Sequence, residues 1–393
     1  MTFLKNVFLV TIISIATLKI ADFSFGLVQP IEFLLNGDQT KNRSIALREF
    51  NPNQSVTITP DEQFISNAEL SEQTLNKLQI DSNGFINNGN PYELNPELRI
   101  IFFGGSTTEN LYVQTENRFP SIVERSMRKQ LEQNIVTHNG GVSGNNSMHS
   151  NLAFIAKGIP LKPNFVVLMH NVNDLAVLSK TESYWIAPNS RALVLGNAEP
   201  TFAVKNTPRL AIYFFLRGFK DIIVPNLYAY LQPRLIPYVL ALHPDEFNGF
   251  RGKSPIDFER AEMQFRSSLI SFTQVTRAWG IEPILMTQSN RMNIDDLAFK
   301  SLLSTSPNLG MSPEQFIAIY KRFNNITRMV ARDQNVSLID LDNLIPGSPK
   351  HLYDTVHFNN EGNRLAGEII SEHLVNILSK DSQISIRALN QGN

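Results

Sequence analysis

The hydrophobic pattern of the chain changes character at Leu98. From there five short apolar runs recur: Leu98–Phe103, Ile135–Asn139, Asn164–Met169, Ile281–Met286 and Ser337–Leu341. Runs that are apolar at consecutive positions predict strands buried on both faces, since a half-solvated strand would alternate. Between them lie stretches of helical period: Arg118–Glu132, with Pro120 in its first turn, Phe258–Trp279 and Pro313–Asp333. A last amphipathic stretch, Arg364–Leu378, reads as the final helix. Strands alternating with helices predict an α/β fold around a parallel sheet covered on both sides. Ligands of such sheets bind at the carboxyl ends of the strands.

Ahead of Leu98 the texture is different. Residues 29–97 are polar and rich in Asn, Gln, Pro and Ser. Within them Val56–Ile58 hints at a short strand, and Asp81-Ser82-Asn83-Gly84-Phe85 reads as a turn. At the start, Lys5 precedes an uncharged apolar run, Val7–Leu18, of the length of a signal-peptide core. Extended through Phe23–Val28, it could reach across a bilayer. Residues 1–28 are therefore expected to be an uncleaved signal-anchor that exports the rest of the chain. A cleaved signal is the alternative, though Ser24-Phe25-Gly26 is a poor cleavage site, and a buried helix is a third reading. Residues 176–257 interrupt the alternation between the third and fourth strands. Their core, Arg209–Leu242, is apolar and aromatic but broken by Arg217, Lys220, Asp221, Pro225, Pro233 and Pro237. It reads as a helical insertion over the sheet's carboxyl edge, serving as extra core or as a lid or interfacial surface. Residues 381–393 form a C-terminal tail.

Composition narrows the chemistry. The chain has 393 residues, 42% of them hydrophobic, enough for a sizeable core. A formal net charge of -1 leaves no electrostatic case for nucleic acid. Cysteine is absent, which excludes disulfides, zinc–thiolate sites and a cysteine nucleophile. No cofactor motif stands out, and the Asn-x-Ser/Thr sequons in this Asn-rich chain carry no weight.

Four short motifs fall at strand ends. Gly104-Gly105-Ser106-Thr107-Thr108 follows the first apolar run, where glycines allow a tight turn and close approach of a substrate. No Gly-Lys-Ser/Thr follows, so it is not a P-loop. Asn139-Gly140-Gly141-Val142-Ser143-Gly144-Asn145-Asn146 follows the second run, and a glycine there can present its backbone N–H to an oxyanion. His170-Asn171-Val172-Asn173-Asp174 ends the third, where a side-chain amide can donate a further hydrogen bond. Asp354-Thr355-Val356-His357 precedes the final helix. A serine past a strand, with Asp and His supplied late, is the parts list of a serine hydrolase: the hydroxyl needs a base, and the imidazole needs a carboxylate. His170 also invites a catalytic reading but ranks below His357. His351 lacks a partner at that spacing.

In this order the four motifs resemble the SGNH (GDSL-type) hydrolase family over roughly residues 98–380. The Asp81–Phe85 turn and the Phe119-Pro120…Glu124 pattern are similar to a membrane-anchored branch of it. The resemblance implies a three-layer α/β/α fold of flavodoxin-like type with a five-stranded, mainly parallel sheet. It implies Ser106 as nucleophile, His357 as base and Asp354 as its partner. The oxyanion hole would be the N–H groups of Ser106 and Gly144 and the amide of Asn173. No metal or cofactor is implied. Asn171 stands where the family usually has glycine, so its side chain is expected to crowd the site or narrow an acyl pocket; Thr107 replaces a common leucine. The reading is an exported, membrane-anchored esterase acting on an acyl ester, borne by a glycan, a lipid or a small molecule. Acyl transfer to an envelope polysaccharide is a close variant. A catalytically idle binding or assembly subunit is the rival, supported only by Asn171 and the insertion.

Overall fold

The computed structural model describes residues 43–45, 47–58, 76–89, 95–185, 194–196, 257–296, 299 and 312–391; side chains are described for all but 43–45, 76–77, 180–181, 194–196 and 380–391. The strands are β1 Arg43–Ile45, β2 Ser55–Ile58, β3 Asn76–Gln79, β4 Leu98–Gly104, β5 Ile135–Gly141, β6 Phe165–Met169, β7 Val194–Gly196, β8 Glu282–Met286 and β9 Ser337–Ile339. All five apolar runs are strands of one sheet. Its order is β5-β4-β6-β8-β9 and every neighbouring pair is parallel. The first strand in the chain to join this sheet thus sits between the second and third, so the motifs after β4, β5 and β6 emerge side by side.

The helices are α1 Ser106–Glu109, α2 Phe119–Leu131, α3 Ser147–Ala153, α4 Val172–Thr181, α5 Phe258–Ala278, α6 Pro313–Asp333, α7 Leu341–Leu344 and α8 Asn360–Gln391. They cover both faces, which is why the strands are apolar at consecutive positions. On one face Ile100 and Phe102 pack with Phe119, Val123 and Met127 of α2 and with Ala366, Ile370 and Leu374 of α8. Phe102 meets Phe119 edge-on, with ring centroids 5.4 Å apart. One position along β4, Phe103 faces the other way and meets Phe154, which in turn meets Phe272 of α5. Phe265 of α5 stacks on Phe323 of α6 at 4.7 Å. Capping follows local chemistry: Ser312 and Gln315 close a reciprocal capping box ahead of Pro313, and the Asp257 carboxylate receives the Arg260 N–H.

Two expected boundaries shift. The segment before Leu98 belongs, from Ala46 on, to the same compact unit as the sheet. Its β2–β3 hairpin is antiparallel, and Ile86 bridges Asn139, donating its N–H to the Asn139 carbonyl at 2.9 Å. Because β5 is a sheet edge, this contact covers backbone groups that would otherwise stay open to pairing. The Asp81–Phe85 turn is held by Asp81 Oδ1, which accepts the N–H groups of Asn83 and Phe85. Phe85 is fully buried between Phe103 and His138, with Lys157 Nζ 4.4 Å above its ring. Polar composition hid this docking, because a handful of apolar side chains carries it. The second shift is at the C-terminus, where the expected tail from 381 continues α8 as far as Gln391.

A second, smaller unit comprises Met1–Ile45 and Val194–Pro225, within which β1 and β7 pair antiparallel. The expected signal-anchor at 1–28 and the core of the insertion at Arg209–Leu242 lie outside the described residues. Among the described residues, no helix is long and apolar enough to cross a membrane.

Phe85→Ala checks whether the upstream segment is part of the core. Emptying a fully buried phenylalanine site should cost about 3–5 kcal/mol in urea unfolding; a loss near zero would make the segment a detachable extension.

Candidate active site

Each motif residue is placed by backbone turns at the carboxyl end of the sheet. Ser106 opens α1 directly after β4, with Gly105 as the extended residue between them. A Cβ on Gly105 would overlap the Asn173 Nδ2, so only glycine lets the serine loop and the Asn173 amide lie this close. The Asp-x-x-His spacing works through an Asx-type turn. Asp354 Oδ1 accepts the backbone N–H groups of Val356 at 2.9 Å and His357 at 2.8 Å, leaving Oδ2 to meet His357 Nδ1 at 2.7 Å. The other ring nitrogen, Nε2, lies 2.7 Å from Ser106 Oγ, across 251 residues of sequence.

The protonation pattern follows. Burial pushes the Asp354 carboxyl up, but the charge of His357 and the hydrogen bonds from its ring and from two backbone N–H groups outweigh it, and the carboxyl lies below its ordinary range. Since the folded value is below the unfolded one, this group adds stability above the unfolded carboxylate range and loses it as pH falls through the folded value. An ionised carboxylate can only accept, so the Nδ1 proton points at Asp354. In the neutral ring Nε2 is then the acceptor for the Ser106 hydroxyl. The imidazole also stacks on Tyr353, with centroids 5.6 Å apart and an 18° interplanar angle. The Asp354 and His357 side chains are 24% and 23% exposed, so solutes reach the triad.

The other candidates cluster nearby. Gly144 sits at φ +79°, a left-handed conformation that favours glycine, in the Val142–Asn145 turn closed by the Asn145 N–H on the Val142 carbonyl. The Arg48 guanidinium lies 3.2 Å from where a Gly144 Cβ would stand. Asn173 donates from Nδ2 to the Asn145 carbonyl at 2.8 Å, tying the β6 end to the β5 end. Asn171 does not crowd the site as expected. Its amide is buried and donates to the Tyr320 carbonyl at 3.0 Å and to Asn324 Oδ1 at 2.9 Å, both on α6. That direction follows from a polar network around Gln288, which the sequence reading missed. Gln288 donates to Thr107 Oγ1 and accepts the Val172 N–H, while Tyr320 and Asn324 donate to its carbonyl. A glutamine two residues past a strand carries no local signature of such a role.

His170 belongs to a second Ser–His–Asp grouping, and that one is sealed. Its Nε2 is 2.7 Å from Ser150 Oγ and its Nδ1 3.5 Å from Asp174 Oδ2, all buried. Burial, with help from the nearby His149, drives the imidazole down to about 3, so it stays neutral. Burial also raises Asp174 to about 6 despite hydrogen bonds from Ser147 and Tyr184. The group ties α3, α4 and α5 together, since Ser147 also bonds Ser268.

Two further residues hold the triad loop. Asn363 of α8 accepts the Phe119 N–H and donates to Asn110 Oδ1, locking the last helix to the loop after α1. Asn359 donates to the carbonyls of Pro349 and Lys350 and accepts the Gly362 N–H. Among the described residues, no group of three or more His, Asp or Glu side chains is placed to hold a metal ion.

No protein-family model matches the chain. No curated protein matches it either. Among solved structures it is similar to one described as a lipolytic protein of the G-D-S-L family from Desulfitobacterium hafniense DCB-2, at 13% identity over 70% of this chain and 99% of that one, with a TM-score of 0.39. A catalytic mutant of an acetylxylan esterase from Geobacillus stearothermophilus is similar at 13% identity over 72% and 96%, TM-score 0.40. A lipase/acylhydrolase from Enterococcus faecalis is similar at 14% over 70% and 95%, TM-score 0.39. At such values the functional reading stands on the site's own geometry.

The two histidines should separate cleanly. His357→Ala should be the milder change in thermal stability, because its site is partly open and water can replace the ring at Asp354. His170→Ala should cost about 1–3 kcal/mol for each buried partner left unsatisfied. Calorimetry on both variants checks this, and equal destabilisation would contradict the assignment of one open and one sealed site.

Proposed function

We propose that this chain is a serine hydrolase of the SGNH type, cleaving an acyl ester through Ser106, His357 and Asp354. The observation that carries the reading is the continuous hydrogen-bonded chain from Asp354 through both nitrogens of His357 to Ser106, open to solvent. As an ester carbonyl approaches, Ser106 Oγ attacks its carbon while His357 Nε2 takes the hydroxyl proton, and Asp354 stabilises the imidazolium. The carbonyl oxygen becomes an oxyanion facing the N–H groups of Ser106 and Gly144 and the Asn173 amide. That amide carries two protons; one is donated to the Asn145 carbonyl, and the second is the oxyanion donor. Collapse expels the alcohol, which takes the proton from His357, and leaves an acyl-enzyme. Water, deprotonated by His357, then releases the acid.

If a sugar hydroxyl takes the place of that water, the same site transfers the acyl group. We include this because the first half-reaction is identical. The idle-subunit reading has lost one of its two supports, since Asn171 is turned toward α6. Export behind an N-terminal anchor at residues 1–28, with an acylated glycan or lipid as substrate, completes the proposal and rests on the apolar run Val7–Leu18.

A fluorophosphonate probe should label wild-type protein and not Ser106→Ala. Hydrolysis of small esters should fall by several orders of magnitude in Ser106→Ala and in His357→Ala, and the double variant should be barely worse, because the pair acts as a unit. Multiplying losses, or an Ser106→Ala variant that keeps most activity, would sink the triad.

Asn173→Ala should lower kcat by roughly 10²–10³-fold with KM little changed, as expected for a bond made mainly in the transition state. A pure KM effect would instead place Asn173 on the ground-state substrate.

A further inference from the structure

Glu109 lies three residues after Ser106 on the same short helix, yet it is only 2% exposed. Its carboxyl oxygen Oε2 accepts the Ser143 hydroxyl. Ser143 is the residue before Gly144. The turn that presents the Gly144 N–H is therefore gripped, at its preceding residue, by a side chain of the nucleophile's own helix. Other ties run in parallel: the Val142 N–H reaches the Gly104 carbonyl at 3.2 Å, and Asn139 Nδ2 reaches the Thr108 carbonyl at 3.0 Å. Those hold the root of the turn, whereas Glu109 holds its middle. A Cβ on Gly141 would overlap the Glu109 backbone N, so the two loops already touch and a shift in one moves the other.

We propose that Glu109 is a positioning residue that fixes the Gly144 turn in register with Ser106 by clamping Ser143. This rests on the reading of Ser106 as nucleophile and Gly144 as oxyanion donor. A charge-assisted hydrogen bond from the Ser143 hydroxyl to a buried carboxyl is short and strong enough to fix the position of that residue. Oxyanion stabilisation depends on donors held within a few tenths of an ångström before the charge develops, so the register matters for rate more than for binding. The titratable and charged groups around Glu109 are His357 and Arg118. Arg118 is buried and donates from Nε to the carbonyls of Asn110 and Val113, at the other end of the same loop. Burial holds the Glu109 carboxyl above its usual range, with the Ser143 hydroxyl bond and the Arg118 guanidinium working against it.

The test compares Glu109→Ala, Glu109→Gln, Ser143→Ala and the double alanine variant on a small ester, with fluorophosphonate labelling of each. Glu109→Ala and Ser143→Ala should each lower kcat by about 10–100-fold with KM within about twofold, part of the loss expected for a whole donor. The double variant should match the worse single, since both changes break one clamp. Glu109→Gln, which keeps an acceptor oxygen, should retain kcat within about threefold. Ser143→Ala leaves the buried Glu109 and Arg118 side chains in place, so it remains informative if Glu109→Ala fails to fold. Unchanged kcat in Ser143→Ala, multiplying losses, or a glutamine variant as poor as alanine would overturn the clamp. Wild-type protein that neither labels nor hydrolyses would instead overturn the hydrolase reading, and the clamp with it.

Discussion

A neutral imidazole has one proton and one lone pair, on opposite sides of a flat ring. For His357 to serve both, a carboxylate must stand beyond one nitrogen and a hydroxyl beyond the other, each at 2.7 Å. Much of the architecture answers that demand. Asp354 is close in sequence and needs only a turn. Ser106 is not, and reaching it requires β4 to lie inside the sheet and α8 to dock on α2 at one depth. The apolar layer of Phe102, Phe119, Val123, Ala366 and Ile370 sets the depth. Asn363 sets the register, because its two ends bond Phe119 and Asn110 at once.

The sealed grouping of Ser150, His170 and Asp174 shows how little residue identity decides. The same three side-chain types meet in the same order, at 2.7 and 3.5 Å. Burial keeps that imidazole neutral and leaves no path for a substrate, so the set acts as a tie between helices. At the open site the histidine can take a proton, because solvent and an ionised carboxylate both support its charged form. Exposure and the state of the carboxylate separate the two roles.

Around the open site, precision comes from amides more than from charges. Gln288, Asn171, Asn324, Asn139, Asn145 and Asn173 cross-link the ends of β4, β5, β6 and β8. Neutral amides both donate and accept, so they can link several loops at once without the desolvation cost of ions. The Asn-rich composition, which made the sequons uninformative, has here a structural use. Such networks fix loops whose backbone alone would leave several arrangements open.

The sequence by itself determined the five strands, the long helices α2, α5, α6 and α8 and the Asp354–His357 pair, because burial on both faces, helical period and a three-residue turn are all local properties. The motifs holding Ser106, Gly144 and Asn173 came into view because each follows a strand, and the carboxyl ends of a parallel sheet face one side; the resemblance to the SGNH family picked out Gly144 and Asn173 within them. The sequence was silent on what depends on partners far along the chain. That Ile86 would cover the edge of β5, that Glu109 would grip Ser143, and that Asn171 would turn toward α6 instead of the site were decided only in three dimensions. Each of those side chains had several chemically acceptable partners. The choice among them was made by strand order and by the close packing of helices on the sheet, which fix the partners that each buried side chain can reach.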